Sequence, residues 1–139
     1  YEMLTQTCFS VNAVIQIILC TNLLWREPSI KLEIEPNGVW YHGSNVIFEV
    51  LRKGSTVTQW RALAEAFSHK PTELGYDDNG IITHNGKEKG FLYIIDEPIT
   101  VDHDICHHPG TIMDKNAEFL TKRPLKVKLI KNCNIDYIC

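Results

Sequence analysis

A chain of 139 residues, 44% hydrophobic and 22% charged, is long enough to bury roughly two-thirds of its unfolded surface in one core, and too apolar to stay disordered. Its net charge of −3 excludes a protein that coats nucleic acid or anionic membrane with its whole surface. Five cysteines, none of them in C-x-x-C spacing, exclude a four-cysteine zinc ribbon and signal no disulfide framework; with no N-x-S/T acceptor, a reducing compartment is the expected setting. The chain opens on Tyr1 and not on Met, which fits a processed product or an excised fragment.

Residues 9–25 (FSVNAVIQIILCTNLLW) form the most apolar run. Asn12, Gln16, Thr21 and Asn22 interrupt it, it falls short of the ~20 apolar residues of a bilayer span, and it lacks the basic start and cleavage site of a signal peptide. Its narrow polar stripe predicts a mostly buried helix ended by Glu27-Pro28, in which Cys8 and Cys20 lie roughly 18 Å apart, too far to pair. Ile30, Leu32 and Ile34 then alternate with Lys31, Glu33 and Glu35, the period of a half-buried strand. Pro36-Asn37-Gly38 is turn chemistry, followed by a short strand over Val39 to His42, a turn at Gly43-Ser44-Asn45 and an extended run from Val46 to Leu51.

Thr56-x-x-Gln59 has the form of a capping box, and Val57, Trp60, Leu63, Ala64 and Phe67 recur at helical spacing before Pro71. The prediction is an amphipathic helix over about 57–69 with its apolar stripe on the sheet. Asp77-Asp78-Asn79-Gly80 reads as a turn before Ile81 to Thr83. Asn85-Gly86 is the strongest hairpin signal, leading into Gly90 to Asp96. Ile99 to Asp102 reads as extended, Asp114 to Thr121 as a short helix, and Leu125, Val127 and Leu129, alternating with Lys126, Lys128 and Ile130, as a last strand. No repeat or linker divides the chain. The expected architecture is a single domain over 1–139 of class α+β: a mainly antiparallel sheet with a buried N-terminal helix and one amphipathic helix packed on it.

Val101 to Gly110 (VDHDICHHPG) carries three of the six histidines and one of the five cysteines. A loop brings such near neighbours together, and zinc accepts imidazole nitrogen and thiolate sulfur, so Asp102, His103, Cys106 and His108 are the candidate ligands of zinc or another divalent cation. His107 is an alternative to His108, and Asp102 or Asp104 is the fourth ligand or the partner that fixes a histidine tautomer. Neither C-x2-C nor H-x3-H spacing is present, which leaves a pH-responsive histidine cluster or a polar surface loop as other readings. A cysteine nucleophile, Cys106 with His103 or His107 and an orienting Asp102 or Asp104, is a further option.

Val101-Asp102-His103, the loop Asp104 to Met113 and Asp114-Lys115-Asn116-Ala117 together resemble the HNH-type ββα-metal nucleases, in which a strand ends in Asp-His and an Asn opens the next element. The resemblance covers residues 101–117. It implies that Asp102 holds a divalent cation beside a scissile phosphate, that His103 takes a proton from water and that Asn116 fixes the imidazole. The closing histidine or asparagine of that family has no counterpart unless Asn132 or Asn134 reaches back, and Pro124 interrupts the helix that should carry it. Shorter matches fail on their surroundings. Gly38-Val39-Trp40-Tyr41 is similar to a lipocalin signature but too few residues follow. Trp40 to Gly43 resembles the opening of an SH2 domain but no arginine-bearing strand follows. Gln59 to Glu65 looks like a death-fold helix among strand-like neighbours, and His84 with Glu88 has cupin spacing but Ile82 stands where the pair's first histidine belongs.

From Thr111 onward six cations (Lys115, Lys122, Arg123, Lys126, Lys128, Lys131) face three acids (Asp114, Glu118, Asp136). Lys122, Arg123, Lys126 and Lys128 are thus the candidate nucleic-acid contact, with a solvated strand face as the plain alternative. Trp40, Tyr41 and Tyr76, in or near turns, are candidate exposed aromatics. With no complete catalytic set, the expected function is a small soluble binding domain acting on a macromolecular partner, a protein first, without catalysis of its own; the alternative is a metal-dependent HNH-like phosphodiesterase centred on Asp102, His103 and Asn116. The Ile- and Asn-rich composition with Lys in excess of Arg points to an AT-rich coding genome, as in a virus or a low-GC bacterium.

Overall fold

The computed structural model describes residues 32–135; the predicted buried helix over 9–25 lies outside them. The described chain is mostly antiparallel sheet with one short helix. In order it forms β1 (Tyr41–Ser44), β2 (Val50–Leu51), β3 (Thr56–Val57), α1 (Arg61–Ser68), β4 (Leu74–Tyr76), β5 (Ile82–His84), β6 (Gly90–Ile95), β7 (Ile105–His107), β8 (Phe119–Thr121) and β9 (Leu125–Cys133). A four-stranded sheet runs β1-β6-β9-β2, a three-stranded sheet β3-β8-β7, and β4-β5 stands as a hairpin. Paired backbone bonds between Tyr41 and Thr58, at 2.7 and 3.0 Å, join the two larger sheets into a curled half-barrel.

β9 follows its sequence alternation. Leu125 and Val127 turn into the main core while Lys126 and Lys128 stay exposed. Its register against β6 slips between Leu92 and Tyr93, which oppose Lys131 and Leu129, so Ile130 is an extra residue. This bulge turns Lys131 and Cys133 onto the opposite face, where Cys133 packs with Leu92 and Ala64 and Lys131 reaches Glu65 at 3.4 Å. The main core gathers Trp40, Leu51, Val57, Ile105, Phe119 and Leu125. Trp40, expected as an exposed aromatic, is 4% exposed and meets Phe119 edge-on at 4.9 Å. Tyr41 is half-buried, with the Arg61 guanidinium 6.0 Å from its ring, and Tyr76 is set edge-on against Trp60 at 5.1 Å.

The helix begins later than its periodicity predicts. Thr56 and Val57 are taken by pairing with Leu120 and Phe119, which buries Val57 more completely than a first helical turn would. The capping box does not form. Trp60 is the N-cap without a side-chain cap, and Gln59 instead accepts from the Glu35 N–H at 2.9 Å and donates to the Glu35 carbonyl at 2.8 Å. This corrects a second expectation. Leu32 to Glu35 keep the predicted alternation of burial but are no strand; side-chain amides stand in for a neighbouring strand, Gln59 at Glu35 and Asn116 at the Leu32 carbonyl (2.6 Å).

Asn85-Gly86 is also not the hairpin turn. The hairpin is β4-β5 around Asp77 to Gly80, where one Asp77 carboxylate oxygen accepts from the Asn79 and Ile81 N–H groups, both at 2.9 Å. Asn85 braces the helix exit by accepting from the Thr72 and Glu73 N–H groups at 3.0 and 2.9 Å, and β6 turns away to pair with β1 and β9. Asp114 to Thr121 forms a turn closed by Asp114 and then β8, not a helix, because Phe119 is required in the core between β3 and β7. Among the described residues no helix is long and apolar enough to cross a membrane.

Candidate functional site

The histidine-rich segment is ordered by Asp104. Its side chain is buried and accepts from the Thr100 N–H (2.8 Å), the Arg123 Nε (2.7 Å) and the exposed His103 Nδ1 (3.1 Å). These bonds, the Thr100 amide first and Arg123 next, hold its carboxyl at a pKa of about 2. Arg123 also pairs with Glu97, which accepts from the Lys126 N–H at 2.7 Å. Asp102 adopts a left-handed φ of 70°, and its carbonyl accepts from the Lys122 amine at 2.7 Å. Of the predicted basic strip, Lys122 and Arg123 are therefore engaged by the chain itself, while Lys126 and Lys128 are exposed.

The rest of the segment is spread by strand geometry. Successive side chains on β7 point to opposite faces: Ile105 is buried and His107 lies over the Phe119 ring at 4.5 Å, with Cys106 on the other face. His107 Nε2 meets the Asn116 side-chain oxygen at 3.1 Å, so Asn116 is set against His107 in place of His103. His108 turns its Nδ1 onto the Gly110 N–H at 3.0 Å. The structure thus brings His103 to Asp104 and His107 to Asn116, and Asp102, His103, Cys106 and His108 do not form one cluster. Among the described residues no three His, Cys, Asp or Glu side chains are grouped to hold a metal ion, and Cys106 and Cys133 are both free thiols.

A different place on the molecule has the form of a binding site. A cleft of about 670 Å³ opens between the β1–β3 region and the exit of α1. His42, Phe48, Val50, Phe67 and Pro71 line it, with Arg52, Lys70 and Glu118 as its charged residues. Register places His42 opposite Tyr93, and Phe48 stacks on Tyr93 at 4.7 Å and 13°. The Tyr93 hydroxyl donates to the Val46 carbonyl at 2.8 Å and accepts from the Phe48 N–H at 3.2 Å. The loop leading to β2 is thereby fixed to the sheet. Sequence reasoning missed this site, since its lining comes from β1, the loop before β2, β3, the exit of α1 and the segment before β8.

His42 donates its Nδ1–H to the Thr56 carbonyl at 2.6 Å. Burial pushes its pKa down, a push that the Thr56 bond opposes and the Lys70 charge assists. His84, stacked on His69 at 5.4 Å, is lowered too, by burial and then by that neighbour. Both imidazoles take up a proton more readily in the unfolded chain. Their contribution to stability is complete above the ordinary histidine pKa of 6.5 and is lost as pH falls below it. Stability from urea unfolding should fall between pH 7.5 and 5.5, by no more than about 1.4 kcal/mol per pH unit for the more buried His42 and by much less for the exposed, solvent-screened His84. His42→Gln should flatten the slope; a midpoint that is constant or rises on acidification would contradict the assignment. No protein-family model, curated protein or solved structure matches this chain, so its function has to be read from the geometry of the cleft and the histidine-rich segment.

Proposed function

We propose that this chain is a small binding domain that holds a segment of another protein and performs no catalysis of its own. The observation that carries this reading is the exposed apolar residues at the cleft: Val46 and Val50 line it, Ile47 follows Val46 in the chain, and they are 56%, 54% and 65% exposed, on and next to the loop that Tyr93 fixes. Neighbouring large apolar side chains held in water on a fixed loop are characteristic of contact surfaces. A loop already ordered before contact loses little entropy on binding. Because these side chains extend beyond the cleft, a macromolecular segment covers them better than a small solute does.

Selection from a random peptide library tests the proposal. The wild-type protein should enrich a convergent sequence pattern, and an Ile47→Lys, Val50→Lys variant that melts like wild type should not. Failure to converge, or the same pattern from the variant, would refute it. Zinc retained by the purified protein, together with plasmid cleavage lost in His103→Ala, would instead support the alternative, a phosphodiesterase centred on Asp102, His103 and Asn116.

A further inference from the structure

The cleft has a definite charge and a definite hydrogen-bonding character. Its charged residues are Arg52, Lys70 and Glu118, two cations against one acid, which leaves one net positive charge. Arg52 and Lys70 take part in none of the ion pairs among the described residues, and the Glu118 carboxylate accepts the Thr111 hydroxyl. His42 uses its Nδ1–H on Thr56, so the neutral ring presents Nε2 as an acceptor. Every fully buried side-chain polar atom among the described residues has a partner. Nε2 has no protein partner and is therefore open to the cleft.

Lys70 adds a second line of support. It follows the helix C-cap His69, and its φ of 51° with the bond from its N–H to the Phe67 carbonyl at 3.1 Å is the left-handed ending by which α1 terminates. That ending places the Lys70 cation at the cleft wall. Granted the binding-domain reading, on which this rests, we propose that the cleft takes an extended peptide bearing a single carboxylate beside an apolar side chain, the carboxylate held between Arg52 and Lys70. Arg52 offers the carboxylate a paired donor face, the apolar side chain lies against Phe48, Val50 and Phe67, and a peptide N–H donates to His42 Nε2. A doubly charged phosphate would leave the cleft net negative once Glu118 is counted, so the carboxylate is the better match.

The peptide pattern enriched by selection is the probe. It should contain one acidic position or require a free C-terminus, next to an apolar residue. In fluorescence anisotropy the synthetic peptide should lose about tenfold or more in affinity when its acid is replaced by the amide or its C-terminus is amidated. Loss in the first arm assigns the carboxylate to a side chain, loss in the second to a chain end, and either supports the proposal. Arg52→Gln and Lys70→Gly should each lose a comparable factor, and affinity should weaken with added salt. Lys70→Gly should melt at or above the wild-type temperature, because glycine relieves the left-handed backbone, so its loss of binding is not a loss of fold. Convergence on neutral apolar peptides would overturn the carboxylate while leaving the binding domain standing; no convergence would remove the binding domain itself. Wild-type affinity in Lys70→Gly would also overturn the proposal.

Discussion

Gly43→Ala is expected to destabilise the fold by about 4 kcal/mol or more, a large share of the roughly 5–15 kcal/mol that holds a domain together. A Cβ at Gly43 would lie 1.8 Å from the Ala64 carbonyl oxygen and 2.8 Å from the Ser68 nitrogen. Both atoms are helix backbone, so no rotamer change relieves the overlap, and α1 has to lift from β1. Lifting it exposes Leu92 and Cys133, which pack beneath Ala64. Gly75→Ala is the control, since nothing lies within 4 Å of a Cβ there, and it should stay within about 1 kcal/mol of wild type. Urea unfolding of the two variants side by side decides the matter; equal midpoints would show that the contact of α1 with Gly43 is not as close as described.

Asp104→Ala should cost roughly 2–3 kcal/mol at neutral pH, the value of charge-assisted hydrogen bonds lost from a buried site with a partly exposed arginine partner. The carboxyl is held at about pH 2 in the folded chain against an ordinary value of 3.8. Its stabilisation is therefore present above pH 3.8 and is lost as pH falls toward 2. The gap between wild type and variant, measured from urea midpoints, should narrow from pH 7 to pH 3. Arg123→Ala should remove much of the same energy, so the double variant should fall well short of the sum of the two. A gap independent of pH, or strict additivity, would separate Asp104 from Arg123. Asp104, the segment's most strongly perturbed acid, bonds the Thr100 N–H and Arg123 and so secures the turn from Thr100 to Ile105.

Local pattern was legible where one face decides the structure. The alternation of Leu125, Val127 and Leu129 with lysines predicted β9, because one side of it is core. It was misleading where a side chain had two possible partners. Thr56 and Gln59 match a capping box, yet pairing with β8 takes the first and the Glu35 backbone takes the second. Asn85-Gly86 matches a hairpin turn, but the asparagine braces Thr72 and Glu73 and a Cβ on the glycine would come within 2.7 Å of His69. Leu32 to Glu35 showed the period of a strand without, among the described residues, the neighbour that makes one. The cleft was not legible at all, since His42, Arg52, the Phe67–Lys70 helix exit and Glu118 are far apart in the chain and nothing in their local sequence marks them as neighbours. In the histidine-rich segment, closeness in sequence is not closeness in space: the alternation of β7 sets Cys106 and His107 on opposite faces.

The pairing of β2 with β9 and of β3 with β8 also sets how early in synthesis the fold can close. These contacts are nested, early strands closing on late ones, and β9 lies between β6 and β2. A nascent chain that has not yet reached Leu125 has β2 with no neighbour, and Leu51 and Trp40 lack the Leu125 side chain that completes their core. Closing such long loops is slow, and unpaired edges attract other chains meanwhile. Until β9 emerges, the edge of β2 and the core side chains Leu51 and Trp40 are therefore open to association with other chains.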